Sequence, residues 1–338
     1  MARAKLWLRV FAAGFAVIVA MLIVTLYTPI AYGDLARIGQ VSEHEFGWHI
    51  EPPHIERQYL RATPVTEADI LVIGDSFSMT YRWQSVLTRQ GYRVTTIYWG
   101  QLTGEALCDD FDEWLDKAGF RGKLVIIESV ERLLNERLQS TQKCAKMQNP
   151  FEARIEPFFE SPEHVPGFAL NWKAKLTAGY ITYQNTRAAK EPGATTLAGK
   201  ATWVRPVADG CSMFSHLLCD KALFFKDDDD NGELTVENVA QMQAFNKAHP
   251  ARSIMWMVIP NKTTTYVQLD HSKDFVTAFA QSGLGPDLFS FAKEQKRKIR
   301  DFYFPNDTHL SMHGQLAVGE LILDKVRKII PQPPAKAS

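Results

Sequence analysis

The sequence predicts an α/β fold in which a parallel sheet is flanked by helices, with an irregular insertion and an N-terminal transmembrane helix. Apolar runs of strand length alternate three times with amphipathic segments in about 70 residues, which is typical of a parallel sheet with right-handed crossovers. Residues 140–235 break this pattern with prolines and mixed polar stretches. An apolar run of 18 residues lies near the N-terminus.

The first part of the predicted sheet domain occupies residues 34–139. Its strands are short apolar or β-branched runs, of the kind that parallel sheets bury on both faces. They are predicted over 68–74, 92–98 and 123–128. Its helices have apolar residues at helical spacing. They are predicted over 80–90, 106–118 and 130–138.

The same alternation returns in residues 236–330, the second part of the sheet domain. Helical patterns cover 236–248, 275–281 and 316–329, and a strand is predicted over 253–259. We interpret residues 140–235, between the two parts, as an insertion or cap over the sheet. The last residues, 331–338, are rich in proline and are predicted to be a flexible tail.

The apolar run over residues 10–27 predicts a membrane anchor within residues 1–33. As a helix, these 18 residues span about 27 Å, enough to cross a hydrocarbon core. Arg3, Lys5 and Arg9 precede the run, and acidic residues dominate after it. We therefore expect residues 1–9 in the cytoplasm and the rest of the chain, called the body, outside it. A cleaved signal peptide is the alternative, but the nearby small residues make a poor cleavage site.

Composition narrows the range of functions. Apolar residues make up 46% and charged residues 22% of the chain, as in globular proteins, which excludes a disordered or coiled-coil protein. Basic and acidic residues number 38 each, and without a basic excess no nucleic-acid partner is expected. In an oxidising compartment the four cysteines fit two disulfides, Cys108 with Cys144 and Cys211 with Cys219. Four buried thiols are the alternative.

One motif provides a candidate nucleophile. Ser76, in Gly74-Asp75-Ser76-Phe77-Ser78, follows the first predicted strand, where open α/β sheets place their sites and where backbone N–H groups stabilise an oxyanion. A serine hydroxyl needs a base, and the candidate is His309 in Asp307-Thr308-His309. Asp307, two residues earlier, shares its face in an extended segment and can orient the imidazole. A plain turn or helix N-cap is the alternative for each motif.

These residues resemble a known family. Gly74-Asp75-Ser76 is similar to the first block of the SGNH hydrolases, also called GDSL-type esterases. Together with Asp307-Thr308-His309, the motif resembles the alginate O-acetyltransferase group of these proteins. Residues 258–266 resemble the Pro-x-Lys…Tyr segment of that group. Residues 307–314 resemble its Asp-Thr-His-Trp-Ser…Gly segment, with Leu310 in place of tryptophan.

The resemblance implies roles for individual residues. Ser76 is the expected nucleophile, His309 the general base and Asp307 the orienting carboxylate, and the backbone N–H groups of Ser76 and Gly100 are the expected oxyanion donors. By their positions at strand ends or beside Gly100, Trp99, Glu128, Arg132, Lys262 and Tyr266 are candidate substrate-binding residues, and a structural pair or packing role is the alternative for Arg132, Lys262 and Tyr266. Two features depart from the family: the Asp-Thr-His segment follows the serine, unlike in the alginate group, and the SGNH asparagine block after the third strand is missing.

The resemblance implies O-acetylation of an exported polysaccharide through a serine ester. The enzyme is expected at the inner membrane with its catalytic domain in the periplasm, and a membrane-bound O-acyltransferase partner is expected to supply acetyl groups because acetyl-CoA is cytoplasmic. A carbohydrate esterase of the same fold and a non-catalytic subunit of an envelope polysaccharide complex are the alternatives. No cofactor is expected. No metal is expected either, since the acidic residues 227–230 begin a calcium-like loop that lacks the twelfth-position glutamate.

Overall fold

The computed structural model describes residues 2–175 and 177–331, with Ala2 represented by its backbone. The strands are β1 (Ile70–Gly74), β2 (Val94–Tyr98), β3 (Leu124–Val130), β4 (Thr196–Ala198), β5 (Thr202–Pro206), β6 (Lys221–Phe225) and β7 (Ser253–Ile259). The α-helices are α1 (Ala2–Leu26), α2 (Asp34–Gly39), α3 (Glu43–Phe46), α4 (Arg82–Arg89), α5 (Phe111–Lys117), α6 (Glu131–Gln142), α7 (Ala178–Ala189), α8 (Gly210–Met213), α9 (Val236–Ala248), α10 (Lys262–Tyr266), α11 (Lys273–Ser282), α12 (Leu288–Gln295) and α13 (Met312–Ile329).

The chain folds into two compact units, each built from separate segments. The anchor unit comprises Met1–His49, Val165–Lys226 and Pro305–Thr308. The sheet unit comprises Ile50–His164, Asp227–Phe304 and His309–Ser338. The stretch interpreted as an insertion is therefore shared between the two units. Of the tail predicted over 331–338, only Pro331 lies within the described residues.

The sheet unit contains a parallel four-stranded sheet with helices packed against it, which confirms the α/β fold class. The strand order is β2-β1-β3-β7, and every neighbouring pair is parallel. All residues of β1 and β3 are buried, as a sheet covered on both faces requires. β1 is apolar throughout, whereas β3 is apolar only as far as Ile127 and continues with Glu128 and Ser129. The chain leaves β1 towards β2 and leaves β3 towards β7, so the topological switch point lies between β1 and β3.

Two helices begin later than the sequence pattern predicts. α4 begins at Arg82 rather than near residue 80, because Tyr81 has a left-handed backbone conformation with φ of 57°. α5 begins at Phe111, well after the predicted start. The N–H group of Leu107 donates to Thr141 Oγ1 at 3.1 Å instead of entering a helix. Both departures depend on backbone geometry and contacts distant in sequence, which a helical periodicity does not reveal.

The anchor unit begins with α1. The most apolar 18 residues of Arg3–Leu26 have a mean hydropathy of 2.4, and only 6% of them are buried in the protein. This helix is long and apolar enough to cross a membrane, as predicted from residues 10–27. The rest of the unit contains an antiparallel sheet of order β4-β5-β6. Its core joins α2 and α3 to that sheet through buried Leu35, Phe46, Val204 and Leu223.

Both predicted cysteine pairs are confirmed. Cys108 bonds to Cys144 in the sheet unit, and Cys211 bonds to Cys219 in the anchor unit. The first pair joins residues 36 positions apart. A crosslink over a loop of this length restricts the unfolded chain and contributes about 4 kcal/mol in the chain-entropy model.

A carboxyl group with a shifted pKa lies beside a cavity of about 380 Å³ in the anchor unit. Glu43 lines this cavity together with Tyr27, Trp48 and Phe168, and its carboxylate accepts a hydrogen bond from Asn306. Burial raises the pKa of Glu43 to about 8, even though hydrogen bonds with backbone groups act to lower it. The side chain is therefore mainly protonated at neutral pH.

We expect Glu43→Gln to change how stability depends on pH. The unfolded chain loses this proton near the ordinary value of 4.5 and the folded unit near 8, so this group makes the free energy of unfolding fall as pH rises between those values. Glutamine does not titrate. Thermal unfolding of the full chain in detergent should therefore show the variant gaining melting temperature relative to the parent as pH rises.

The matched control is Glu191→Gln, which removes an exposed glutamate of the same unit. Its difference in melting temperature from the parent should stay nearly constant over the same pH range. Parallel pH curves for Glu43→Gln and the parent would contradict the prediction.

Candidate active site

Ser76 lies in the turn that follows β1. The strand ends at Gly74, and the N–H group of Ser78 donates to the carbonyl of Asp75 at 2.9 Å, closing the first of several overlapping turns. Because α4 begins only at Arg82, the helix does not start directly after the serine. The backbone around Ser76 is therefore held by the turn itself.

His309 lies within hydrogen-bond distance of this serine. Its Nε2 atom is 2.7 Å from Ser76 Oγ, although the two residues are 233 positions apart in the chain. The imidazole packs against the buried ring of Phe77, with 4.8 Å between ring centroids. Ser76 and His309 are both partly exposed. The pair therefore meets the geometric requirement for a nucleophile and its base, and solvent reaches it.

Buried contacts hold the loop that carries His309. The N–H group of Phe304 donates to the His309 carbonyl at 3.1 Å, and the ammonium of Lys262 donates to the Phe304 carbonyl at 2.6 Å. After the loop, Ser311 caps α13 by accepting a hydrogen bond from the Gly314 N–H group at 3.2 Å. The sequence predicts that Lys262 binds substrate, but the structure places it 1% exposed, where it supports the His309 loop.

An ionised carboxylate supports the serine turn. Asp75 is buried, and its carboxylate accepts hydrogen bonds from the N–H groups of Phe77 at 3.1 Å and Val130 at 2.8 Å. Nη1 of Arg137, in α6, donates to the same carboxylate at 2.9 Å and to Ser129 Oγ at 2.7 Å. Burial acts to raise the pKa of Asp75, but the Arg137 charge and these hydrogen bonds outweigh it and lower that pKa.

Glu128, near the end of β3, belongs to the same network. Its Oε2 atom accepts hydrogen bonds from the N–H group of Asp75 and from the hydroxyl of Ser78, both at 2.8 Å. Burial and the negative charge of Asp75 raise the pKa of Glu128 well above its usual range. A Cβ at Gly74 would lie 2.8 Å from this oxygen and 2.5 Å from Ser78 Oγ, so glycine is needed there.

The predicted oxyanion glycine follows β2. Gly74 pairs with Tyr98 in the register of β1 and β2, so Ser76 and Gly100 each lie two residues beyond a paired strand position. Neighbouring parallel strands thus bring both residues to the same edge of the sheet. Gly100 is exposed, and a Cβ there would lie 2.6 Å from the Tyr98 ring.

The other predicted substrate-binding side chains have partners within the sheet unit. The indole Nε1 of buried Trp99 donates to the Glu128 carbonyl at 2.6 Å. Arg132 pairs with buried Asp228 at 3.3 Å, and buried Tyr266 contacts another tyrosine ring edge-on. Glu128 itself is 0% exposed. Glu128 therefore supports the serine turn directly, and Trp99 supports it through its hydrogen bond to Glu128. Substrate contact by any of these side chains stays a prediction.

Asp307 belongs to the anchor unit. Its carboxylate accepts a hydrogen bond from the N–H group of Asp34 at 2.8 Å. Thr308 donates its N–H group and its hydroxyl to the Asp34 carboxylate, at 2.9 and 2.6 Å. These contacts hold the 305–308 segment within its own unit, and the orienting role that the sequence assigns to Asp307 stays a prediction.

Sequence reasoning missed the contribution of Arg137. A signal was available, because Arg137 lies between Leu134 and Leu138 on the buried face of α6. A charged side chain on an apolar helix face needs an opposite charge, and Asp75, at the end of an apolar strand, is a candidate. The spacing alone does not say that these two residues meet.

Comparisons with protein-family models, with curated proteins and with solved structures found no match to this chain. The resemblance to SGNH proteins therefore rests on short motifs. The case for a function depends on the contacts of Ser76 and His309 and on the network that supports them.

We expect Arg137→Ala to destabilise the protein by about 3–5 kcal/mol, the range for breaking a buried ion pair, because Asp75 is left buried without its partner. Chemical unfolding of the full chain in detergent, followed by tryptophan fluorescence, measures the loss. The control is Arg121→Ala, which removes an exposed ion pair with Asp116 and should change stability little. Equal losses in both variants would contradict the role of Arg137.

Proposed function

We propose that this protein is a membrane-anchored serine O-acetyltransferase of the SGNH type that acetylates a polysaccharide hydroxyl. The observation that carries the proposal is the distance of 2.7 Å between Ser76 Oγ and His309 Nε2. A serine hydroxyl with an imidazole in reach is the minimal arrangement for covalent acyl transfer. The buried Asp75–Arg137 pair supports the proposal because the Asp75 carboxylate links the serine turn to the end of β3.

In the proposed reaction, Ser76 Oγ attacks the carbonyl carbon of an acetyl donor while His309 Nε2 takes the hydroxyl proton. Backbone N–H groups of Ser76 and Gly100 donate to the oxyanion. The intermediate collapses to acetyl-Ser76, and the donor's leaving group departs with the proton from His309. A sugar hydroxyl then gives its proton to His309 and attacks the ester. Ser76 leaves with that proton, and the acetylated sugar is released.

The anchor and the disulfides support a location outside the cytoplasm. Basic residues precede α1, which favours export of the body, and structural disulfides persist in oxidising compartments. We place the body in the periplasm and α1 in the inner membrane. Since acetyl-CoA is cytoplasmic, a membrane-bound O-acyltransferase is the proposed source of acetyl groups.

Aromatic rings beside Gly100 favour a sugar acceptor. The Tyr98 ring lies against Gly100, the Phe158 ring is 6.1 Å from the Tyr98 ring, and the Arg154 guanidinium lies 4.7 Å over Phe158. Tyr98 and Phe158 are partly exposed. The C–H faces of sugar rings pack on aromatic surfaces of this kind, so these rings are the proposed acceptor site.

Hydrolysis of an acetyl ester is the second candidate function. The partial exposure of Ser76 and His309 favours it, because water reaches the pair. Acetate release from a model acetyl ester, measured with and without oligosaccharide, separates the two. Transfer predicts that oligosaccharide diverts acetyl groups from water, whereas a hydrolase releases acetate at the same rate in both cases.

We expect Ser76→Ala and His309→Ala each to lower acetyl turnover by about 10³-fold or more, and the double variant to lower it no further, because the two residues act as a unit. A fluorophosphonate probe should label the parent at Ser76 and should label neither variant. Melting temperatures of the variants test that the fold is intact. Full turnover in the folded Ser76→Ala variant would exclude the serine mechanism and favour a non-catalytic subunit.

We expect Phe158→Ala to weaken transfer to oligosaccharide by about tenfold, equivalent to about 1.4 kcal/mol, through a higher KM for the acceptor. Turnover of a small acetyl ester in water should stay near the parental value, since Ser76 and His309 are unchanged. The control is Phe159→Ala, the exposed neighbour. A similar loss in both variants, or a loss of hydrolysis as well, would contradict an acceptor site at Phe158.

A further inference from the structure

The anchor unit exposes a group of large aromatic side chains outside the candidate site. Phe168, Trp172, Tyr180 and Tyr183 are 78%, 77%, 69% and 60% exposed, and we call this set of side chains the aromatic surface. Trp172 is more exposed than any other tryptophan that the structure describes outside α1. Apolar area left in water costs about 25 cal/mol per Å². Four exposed rings within residues 168–183 therefore indicate an interaction surface.

The aromatic surface is attached to the end of the membrane helix. α1 ends at Leu26, and the carbonyl of Leu26 accepts a hydrogen bond from the N–H group of Asn171 at 2.8 Å. One residue further on, the Tyr27 ring stacks on Phe168 with 6.1 Å between centroids. The end of a spanning helix lies where the hydrocarbon core meets the headgroups. These contacts therefore hold at least the Phe168 end of the surface at that level.

The charge of the same segment matches a lipid surface. Residues 168–187 contain Lys173, Lys175 and Arg187 and no aspartate or glutamate. Lys190, which follows, pairs with Glu45 at 2.7 Å. Lys173 and Lys175 are exposed beside Trp172 in sequence. Anionic lipids attract each such cation by about 1 kcal/mol near the surface. Tryptophan and tyrosine are enriched at the boundary between hydrocarbon and water because their rings are apolar and their tips polar.

We propose that the aromatic surface lies in the headgroup layer of the leaflet from which the body emerges, bound to anionic lipid. Continuity with α1, rings with polar tips and the excess of cations all favour lipid over an apolar groove of another protein. The anchor unit is then held to the membrane at two places, by α1 and by this surface. The inference does not rest on the proposed function, because none of these residues belongs to the sheet unit.

The test measures lipid contact in the full chain, reconstituted in vesicles of phosphatidylcholine and phosphatidylglycerol. An environment-sensitive fluorophore is attached to a single added cysteine, introduced by Trp172→Cys or, with Trp172 intact, by Tyr183→Cys. The native cysteines are paired and do not react. The reference is Lys200→Cys, in the exposed polar turn between β4 and β5. We expect headgroup nitroxide lipids to quench the label at 172 and 183 several-fold more strongly than at 200.

Removing phosphatidylglycerol should reduce quenching at 172 and 183, because the lysines lose their anionic partners. Equal quenching at the three positions, with water-like emission at 172 and 183, would overturn the proposal. Shielding of both positions in native membrane vesicles but not in pure lipid would also overturn it, because a membrane protein would then be the partner. If one of the two labelled variants fails to reconstitute, the other one is measured against the Lys200→Cys reference.

Discussion

The buried ion pair between Asp75 and Arg137 is the interaction on which the candidate site depends. Transfer of two charges out of water is unfavourable by several kcal/mol per ion, and attraction alone seldom offsets it. Here the carboxylate also accepts N–H groups from Phe77 and Val130, which belong to the segments after β1 and at the end of β3. One side chain thereby links the serine turn to the neighbouring strand at the switch point of the sheet.

Two carboxyl groups meet in this region and differ in protonation. Like charges held close together in a buried site are unfavourable, so one of the pair keeps its proton. Arg137 selects the ionised one, because its guanidinium donates to Asp75. Burial and the Asp75 charge raise the pKa of Glu128, which still accepts a hydrogen bond from the Asp75 N–H group. The charge of Asp75 is thus matched by Arg137. On the proposed function, this pairing limits the repulsion between Asp75 and an oxyanion at Ser76.

The parallel sheet could be predicted because burial on both faces leaves a continuous apolar run in the sequence. The pairing of the cysteines and the identity of Ser76 and His309 came from even counts and short motifs. The ion pair could not be predicted in this way, because the position of Arg137 on the buried face of α6 does not say which carboxylate it meets. Local patterns also do not report burial depth, so the sequence alone does not show that Lys262 is buried beneath the loop of His309.

On the proposed function, the Ser76–His309 pair does not distinguish sugar from water, because both present a hydroxyl to the same base. The outcome then depends on how the acceptor is held. A well-oriented group reaches effective molarities of about 10⁵ M or more, far above the concentration of any solvent. Modest binding of a sugar on the Tyr98 and Phe158 rings is therefore sufficient to favour transfer over hydrolysis. Anchoring by α1 adds to this by confining donor and enzyme to one membrane, which raises their effective concentration.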